Sequence, residues 1–360
     1  MINAQQQPTK YQQSDTWNEI LSQGTVWQSV LQTLSGPQID SLLEKSGKRQ
    51  RWIFLGCGTS FYLAEAAALT WTALTGLPAR ALPGSEVLLN PQLIRAEGTS
   101  VQAVVISRSG KTSEAVRAAA VLQRDLNIPT IGITCAENSP LEQACDASLV
   151  LRAADEKSTV MTRSFTSMLL ALQFLAACRA GNVSFNDQLR SMVEQFQTRI
   201  HSLSSQIEAF VQSHVFADYV FLGHGAFHSI AREAALKVME MSCSYSQFFH
   251  TLEFRHGPKA IVSSETCLTF FLSDTGYKVE AEVLREMKEL GGVTIAICNR
   301  ASDTVIRASD LLVEMNFTGH ELALLVPAVV TSQLLGFFTG IRKGLNPDAP
   351  KNLSRVVMLD

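Results

Sequence analysis

The 360-residue chain contains one pattern twice, and that narrows its fold more than any other feature. Trp52-Ile-Phe-Leu-Gly-Cys-Gly58 reappears 167 positions later as Tyr219-Val-Phe-Leu-Gly-His-Gly225, and Ala64-Glu-Ala-Ala-Ala-Leu69 returns as Ala231-Arg-Glu-Ala-Ala-Leu236 at the same spacing. Further on, Thr130-Ile-Gly-Ile-Thr134 pairs with Thr294-Ile-Ala-Ile-Cys298, and Asp146 with Asp310, both at an offset of 164. Length alone would allow two unrelated domains. The repeat makes them one fold used twice.

Each copy opens on an apolar run ending in Gly-x-Gly, followed by a helical pattern, a second apolar run, another helix and a third run. Ile53–Leu55, Val101–Ser107 and Thr130–Thr134 are β-branched and lack alternation, the pattern of strands buried on both faces. Ala115–Leu126 and Glu280–Leu290 read as the helices between them, closed by Asn-Ile-Pro and Gly-Gly. Strands alternating with helices imply βαβ units, so each half is expected to be a three-layer α/β/α sandwich around a parallel sheet. The divisions expected are a polar, partly helical lead-in over 1–45, domains over 46–200 and 201–345, and a tail over 346–360. A mostly helical stretch, Phe165–Val215, joins the copies.

Thirty basic and 33 acidic side chains leave a formal charge of −3 with no block of one sign, which argues against nucleic acid as partner. The seven cysteines are an odd number without a CxxC pair, and read as reduced core thiols of a cytoplasmic protein. No apolar leader stands at the N-terminus. Leu322–Ile341 is free of charge for 20 residues, long enough to span a membrane. It also carries Pro327, Thr331, Ser332, Gln333 and Thr339, with no second span beside it, so a buried core helix is expected and no membrane partner.

In open parallel sheets ligands lie beyond the carboxyl ends of the strands, against helix N-termini. Ser107-Arg-Ser-Gly-Lys-Thr112 occupies such a place. Hydroxyls of Ser107, Ser109 and Thr112, the flexible Gly110 and the free N–H groups of a first helical turn suit a dianionic phosphate, with charge available from Arg108 and Lys111. An ordinary helix cap would use the same residues. The matching loop of the second copy, Ser273-Asp-Thr-Gly276, carries an acid where Arg108 stands. Gly56-Cys-Gly-Thr-Ser60 is a second turn of this kind, too short for a dinucleotide loop, and its Thr59 and Ser60 suit a sugar hydroxyl or a phosphate oxygen.

Ser229–Met241 is apolar nearly all round yet carries Glu233, Lys237 and Glu240. At about 100° per residue these three fall within about 60° of one another, on one face. Surface ion pairs commonly give that spacing. A helix so apolar is buried, however, and buried acids beside a lysine suit proton transfer. His256 stands directly before Gly257-Pro258, where a helix must stop and the ring can face a cleft. His224 and His228 copy the spacing of two metal ligands without the glutamate that goes with it, and no metal is expected.

These residues bring a family into view. Cys57-Gly-Thr-Ser60, Ser107-x-Ser-Gly-x-Thr112, Thr162-Arg-Ser-Phe-Thr166, Glu233-Ala-Ala-Leu-Lys-Val-Met-Glu240, Phe254-Arg-His-Gly-Pro258 and Pro350-Lys-Asn-Leu353 occur in one order, and over about 45–360 the chain resembles the proteins with two sugar-isomerase (SIS) domains. Among them it is similar to the isomerase half of glucosamine-6-phosphate synthase and to SIS-type amino-sugar-phosphate deaminases. The resemblance implies two tandem SIS domains with flavodoxin-like sheets and a phosphorylated amino sugar held by Ser60, Ser107, Ser109 and Thr112, with Thr59, Arg108, Gly110, Thr162 and Arg355 also against the substrate. It implies Glu240 as the base that moves a proton between C1 and C2, Lys237 beside the reacting oxygens, and Glu233 completing the set. His256 is implied to open the sugar ring from the neighbouring subunit of a homodimer, with no cofactor.

Three departures from the family pattern bear on function. Residue 2 is Ile and no cysteine-led glutaminase domain precedes the repeat, so ammonia from glutamine is not expected. Arg355 stands where the family has a lysine that forms a Schiff base with the keto sugar, which a guanidinium cannot do. Arg108 and Lys111 replace Gln and Glu in the phosphate loop. The expected activity is deamination and isomerisation of a hexosamine 6-phosphate, such as glucosamine 6-phosphate, to a ketose 6-phosphate and ammonia. A fructosamine-6-phosphate deglycase, a plain aldose–ketose phosphosugar isomerase and a non-catalytic sugar-phosphate sensor are the alternatives.

Overall fold

The computed structural model describes residues 11–34, 37–96 and 100–359. Three helices come first: α1 (Asp15–Leu21), α2 (Gln23–Thr33) and α3 (Pro37–Ser46). The first copy then runs β1 (Arg51–Gly56), α4 (Thr59–Thr75), β2 (Ala79–Pro83), α5 (Gly84–Leu89), α6 (Pro91–Arg95), β3 (Val101–Ile106), α7 (Ser113–Arg124), β4 (Thr130–Thr134), α8 (Pro140–Ala144) and β5 (Ala147–Val150). Helices α9 (Arg163–Ala180), α10 (Val183–Gln197) and α11 (Ile200–Ser213) lead to the second copy. That copy consists of β6 (Asp218–Gly223), α12 (Ala226–Ser242), β7 (Tyr245–His250), β8 (Thr266–Phe271), α13 (Tyr277–Glu289), β9 (Val293–Cys298), α14 (Asp303–Ala308), β10 (Leu311–Glu314) and α15 (Leu325–Arg342).

Both sheets are wholly parallel and share one order, β2-β1-β3-β4-β5 in the first and β7-β6-β8-β9-β10 in the second. That is the flavodoxin-like order. The repeat holds at the level of register: Phe54 of β1 lies between Ala81 and Val104, and its counterpart Phe221 of β6 lies between Phe248 and Thr269. The central strands β3, β4 and β8 are buried along their whole length, as continuous apolar runs require. Each sheet has five strands where the sequence reading delimits three runs per copy. The strands missed include the edges β2, β5 and β10, which are short and only partly buried and so carry no strong apolar run.

The lead-in is more than polar. Trp17 and Trp27 are buried in the main core, and the Trp27 indole donates to Thr166 Oγ1 at 2.8 Å. The charge-free segment lies in the 3-10 turn Glu321–Leu324 and the helix α15 that follows, and it is buried from Leu322 to Gly340. Two of its polar groups have protein partners: Gln333 donates to Thr162 O at 3.2 Å and accepts from Gln23 at 2.8 Å, and Thr339 pairs with Tyr219 at 3.3 Å, whereas the buried Thr331 and Ser332 hydroxyls have none among the described residues. Helix α15 lies directly on α12. A Cβ on Gly340 would stand 2.2 Å from Met241 O and one on Gly336 would stand 2.8 Å from Lys237 O, so glycine sets the closeness of that contact. Helices α4 and α12, the first helices of the two copies, also pack together. That contact brings a helix of the second copy to the strand ends of the first.

Candidate active site

The order 2-1-3-4-5 makes chain connections leave β1 and β3 on opposite faces, which opens a crevice between the two strand ends. The loops Gly56–Ser60 and Ser107–Thr112 form its lips. A cavity of about 300 Å³ lies there, closed by α12 and by the tail from Leu353 to Val357. That volume is at the lower end of ligand pockets. Thr59, Ser60, Arg108, Ser109, Thr112, Glu240 and Arg355 line it, together with Cys57, Glu114 and Met161.

The Ser107–Thr112 loop bends through Gly110, whose φ is +60° and whose Cβ, if present, would lie 2.2 Å from Ser139 Oγ. Glycine is required there on both counts. The bend delivers Thr112 to the N-terminus of α7, where unsatisfied N–H groups and the helix dipole favour an anion. Ser107 Oγ donates to Thr112 Oγ1 at 3.3 Å, and Ser109 Oγ accepts from Lys111 N at 3.2 Å. Ser107 and Gly110 shape the loop from beneath, and Lys111 points into solvent.

The carboxyl and ammonium groups of α12 converge behind the cavity wall, which Glu240 reaches. Lys237 is fully buried, with Nζ 2.5 Å from Glu240 Oε2, 3.3 Å from Glu233 Oε1 and 3.0 Å from Thr59 Oγ1. Its three donors thus find three acceptors. Burial alone would lower the Lys237 pKa, but the two carboxylates outweigh it and the net shift is upward, so the group is an ammonium. Glu233 is also fully buried, and desolvation pushes its carboxyl up to about 8 against the pull of Lys237. Its Oε2 has no partner among the described residues. Glu240 keeps 18% of its side chain exposed, and it is the member of the set that meets the cavity.

Four expected residues sit differently. The Arg108 guanidinium is buried and spent on protein groups, donating to Ser158 O and Thr159 O at 3.1 Å and to Arg355 O at 2.9 Å, 3.5 Å from Glu156 Oε1. Arg355 turns back onto the protein, pairing with Asp155 at 3.0 Å and donating to Glu156 O. Thr162 is buried away from the cavity and donates to Glu156 through N and Oγ1. His256 is exposed, directly after the 3-10 turn Glu253–Arg255 of the second copy, and does not line this cavity.

The sequence reading passed over Glu156, which accepts from Thr162, Ser164 and Arg108 and so ties α9, the phosphate-type loop and the tail together. An acid a few residues ahead of the Thr162-Arg-Ser helix start was the available signal. His224 and His228 do not converge on a common point. The His228 and His250 rings stack at 3.7 Å, and His224 Nε2 accepts from Leu252 N. Among the described residues no group of three or more His, Cys, Asp or Glu is placed to hold a metal ion.

Comparison with known proteins agrees with this architecture. The SIS domain family matches residues 47–178 and again 218–337. Glutamine–fructose-6-phosphate aminotransferase (isomerizing) of Pyrobaculum aerophilum is 28% identical over 358 residues, covering 95% of this chain and 57% of that protein, and its Chlamydia pneumoniae counterpart is 26% identical over 85% and 51%. The chain thus spans about half the length of the curated relatives it matches. Among solved structures, glucosamine-6-phosphate deaminase from Thermotoga maritima is 29% identical with a TM-score of 0.76, covering 96% of this chain and all of that one. Tagatose-6-phosphate ketose/aldose isomerase from Escherichia coli, at 23% identity, has the same fold with a TM-score of 0.82 over 95% and 96%. With both copies matched, and with homologues and structural neighbours that are phosphosugar isomerases and aminotransferases, the chain belongs to the SIS domain family.

Proposed function

We propose that the protein is an amino-sugar-phosphate deaminase and isomerase that converts a hexosamine 6-phosphate, such as glucosamine 6-phosphate, and water to a ketose 6-phosphate and ammonia. The observation that carries this reading is the Glu233–Lys237–Glu240 stripe, which meets through Glu240 a cavity whose rim is a phosphate-type loop. The Thermotoga maritima relative, matched over its whole length, supports the amino sugar as substrate class.

The phosphate sits at Ser60, Ser109 and Thr112 against the N-terminus of α7, which leaves C1 and C2 toward α12. Glu240 takes the proton from C2 of the open-chain amino aldose and returns it to C1. Lys237, held as an ammonium, stabilises the oxyanion that develops at C1 between those transfers. With a second proton passing from the amine nitrogen to O1, the product is the 2-imine, which water hydrolyses to the ketose with release of ammonia. Glu233 fixes Lys237 and stays largely neutral at pH 7, so the ammonium keeps attraction to spare for the reacting oxygen. His256 enters from the second subunit of a homodimer to assist ring opening.

Incubation of the purified protein with glucosamine 6-phosphate and galactosamine 6-phosphate, followed by an ammonium assay, tests the proposal. Release from at least one is expected, and no release from either overturns it.

A further inference from the structure

The second copy has its own strand-end crevice, a cavity of about 370 Å³ between the loops that follow β6 and β8. In sequence and fold it is the counterpart of the first. Ser273, Thr275 and Gly276 stand where the first copy has Ser107, Ser109 and Gly110. Helix α13 begins behind them as α7 does behind the first loop.

The two loops differ in what their donors meet. In the first, no carboxylate accepts a hydrogen bond from the backbone of Arg108, Ser109, Gly110 or Thr112 among the described residues. In the second, one carboxylate of the same chain takes three donors. Glu321 Oε2 accepts from Asp274 N at 2.5 Å and Thr275 N at 3.3 Å, and Glu321 Oε1 accepts from Thr275 Oγ1 at 2.7 Å. Glu280 takes a further pair, accepting from Ser273 N at 2.7 Å and Ser273 Oγ at 3.1 Å.

The origin of the difference lies one element away. Both copies carry an acid shortly before their long buried helix. Glu156, ahead of α9, turns inward and accepts from Thr162 and Ser164 at the start of that helix. Glu321, ahead of α15, turns outward onto the loop. Two carboxylate oxygens across two N–H groups and a hydroxyl are bound as a phosphate would be.

We propose that Glu321 is the resident anion of the second copy: its carboxylate occupies the place a phosphate takes at the first loop, so each subunit binds one sugar phosphate and the second crevice accepts a phosphate only when Glu321 is removed. The one-per-subunit count rests on the proposed function of the first crevice. The blocking of the second does not.

The test is an equilibrium titration of the full chain with glucosamine 6-phosphate and, separately, inorganic phosphate, read as equivalents bound per subunit. Wild type is expected to take one equivalent and Glu321→Ala two, the additional one at least tenfold weaker because the second loop itself carries an acid, Asp274, next to the donors. In a Ser109→Ala, Thr112→Ala background, Glu321→Ala is expected to restore a single weak equivalent. Glu321→Gln, which still fills the space and can accept from Asp274 N and Thr275 N through its amide oxygen and donate to the Thr275 hydroxyl through its NH2, is expected to add none. If Glu321→Ala does not fold by circular dichroism, Glu321→Ser serves in its place. A second equivalent in wild type, or none gained on removing Glu321, overturns the inference. Absence of any bound phosphate in wild type would fail the proposed function instead, and the gain in Glu321→Ala would still decide this one.

Discussion

At the scale of single residues the account depends on charge states that burial sets. Glu233 is pushed up to about 8 by desolvation, so it is mostly protonated at pH 7 and ionises as the pH rises through about 8. The sign for stability follows: the unfolded carboxyl ionises near its ordinary value, so this group's contribution to folding falls as pH rises from about 4.5 to about 8, and then levels off. Ionised Glu233 would draw Lys237 away from the reacting oxygen. Turnover of a hexosamine 6-phosphate is therefore expected to decline above about pH 8, and Glu233→Gln, fixed neutral, is expected to lose that decline. An identical alkaline limb in both proteins would show that Glu233 does not set it. The stripe was legible in the sequence because a 3.6-residue period is enough to align positions 233, 237 and 240. The settings of Arg108 and Arg355 were not, since a long flexible side chain can reach either a ligand or a backbone carbonyl, and only the fold decides which.

At the scale of elements, the C-terminal tail covers the cavity and Arg108 is one of its anchors. The guanidinium bridges Glu156, the backbone of residues 158 and 159, and Arg355 O. Further along, Val357 O accepts from Ser113 N at 3.4 Å, and Leu359 N donates to Ser113 Oγ at 3.1 Å. Arg108→Ala leaves Glu156 buried with one fewer partner, a change of about 3–5 kcal/mol when a buried pair is broken one-sidedly. Amide hydrogen exchange at residues 353–359 is expected to accelerate in that variant while β3 and β4 remain protected. Unchanged exchange in the tail would mean that other contacts hold it. The buried strands and α12 were readable because apolar runs and helical periods are local signals. The edge strands β2, β5 and β10 were not, being short and half exposed, and the tail was not because its docking partners lie some 200 residues away in the chain.

For the whole molecule, the duplication visible in the sequence carried over to strand order and register, and the divergence of the two loops carried over as one loop that no carboxylate caps and one whose donors meet Glu321. What one sequence of one chain does not contain is a neighbour. His256 lies on the surface of the second copy, away from the cavity of its own chain. If it serves a partner's site, chains carrying Glu240→Gln and chains carrying His256→Ala are each inactive alone, while mixing them by reversible unfolding recovers about a quarter of wild-type turnover, one intact site in each mixed dimer. No recovery would place His256 outside the reaction.

The central claim is that Glu240 moves the proton between C2 and C1 of a phosphorylated amino sugar. The most direct measurement is NMR of glucosamine 6-phosphate with the protein in deuterium oxide, comparing wild type and Glu240→Gln at matched ligand saturation. Wild type is expected to exchange the C2 proton and yield ketose phosphate with solvent deuterium at C1, while Glu240→Gln binds the sugar phosphate with unchanged affinity and exchanges nothing. Exchange by Glu240→Gln at the wild-type rate would contradict the account.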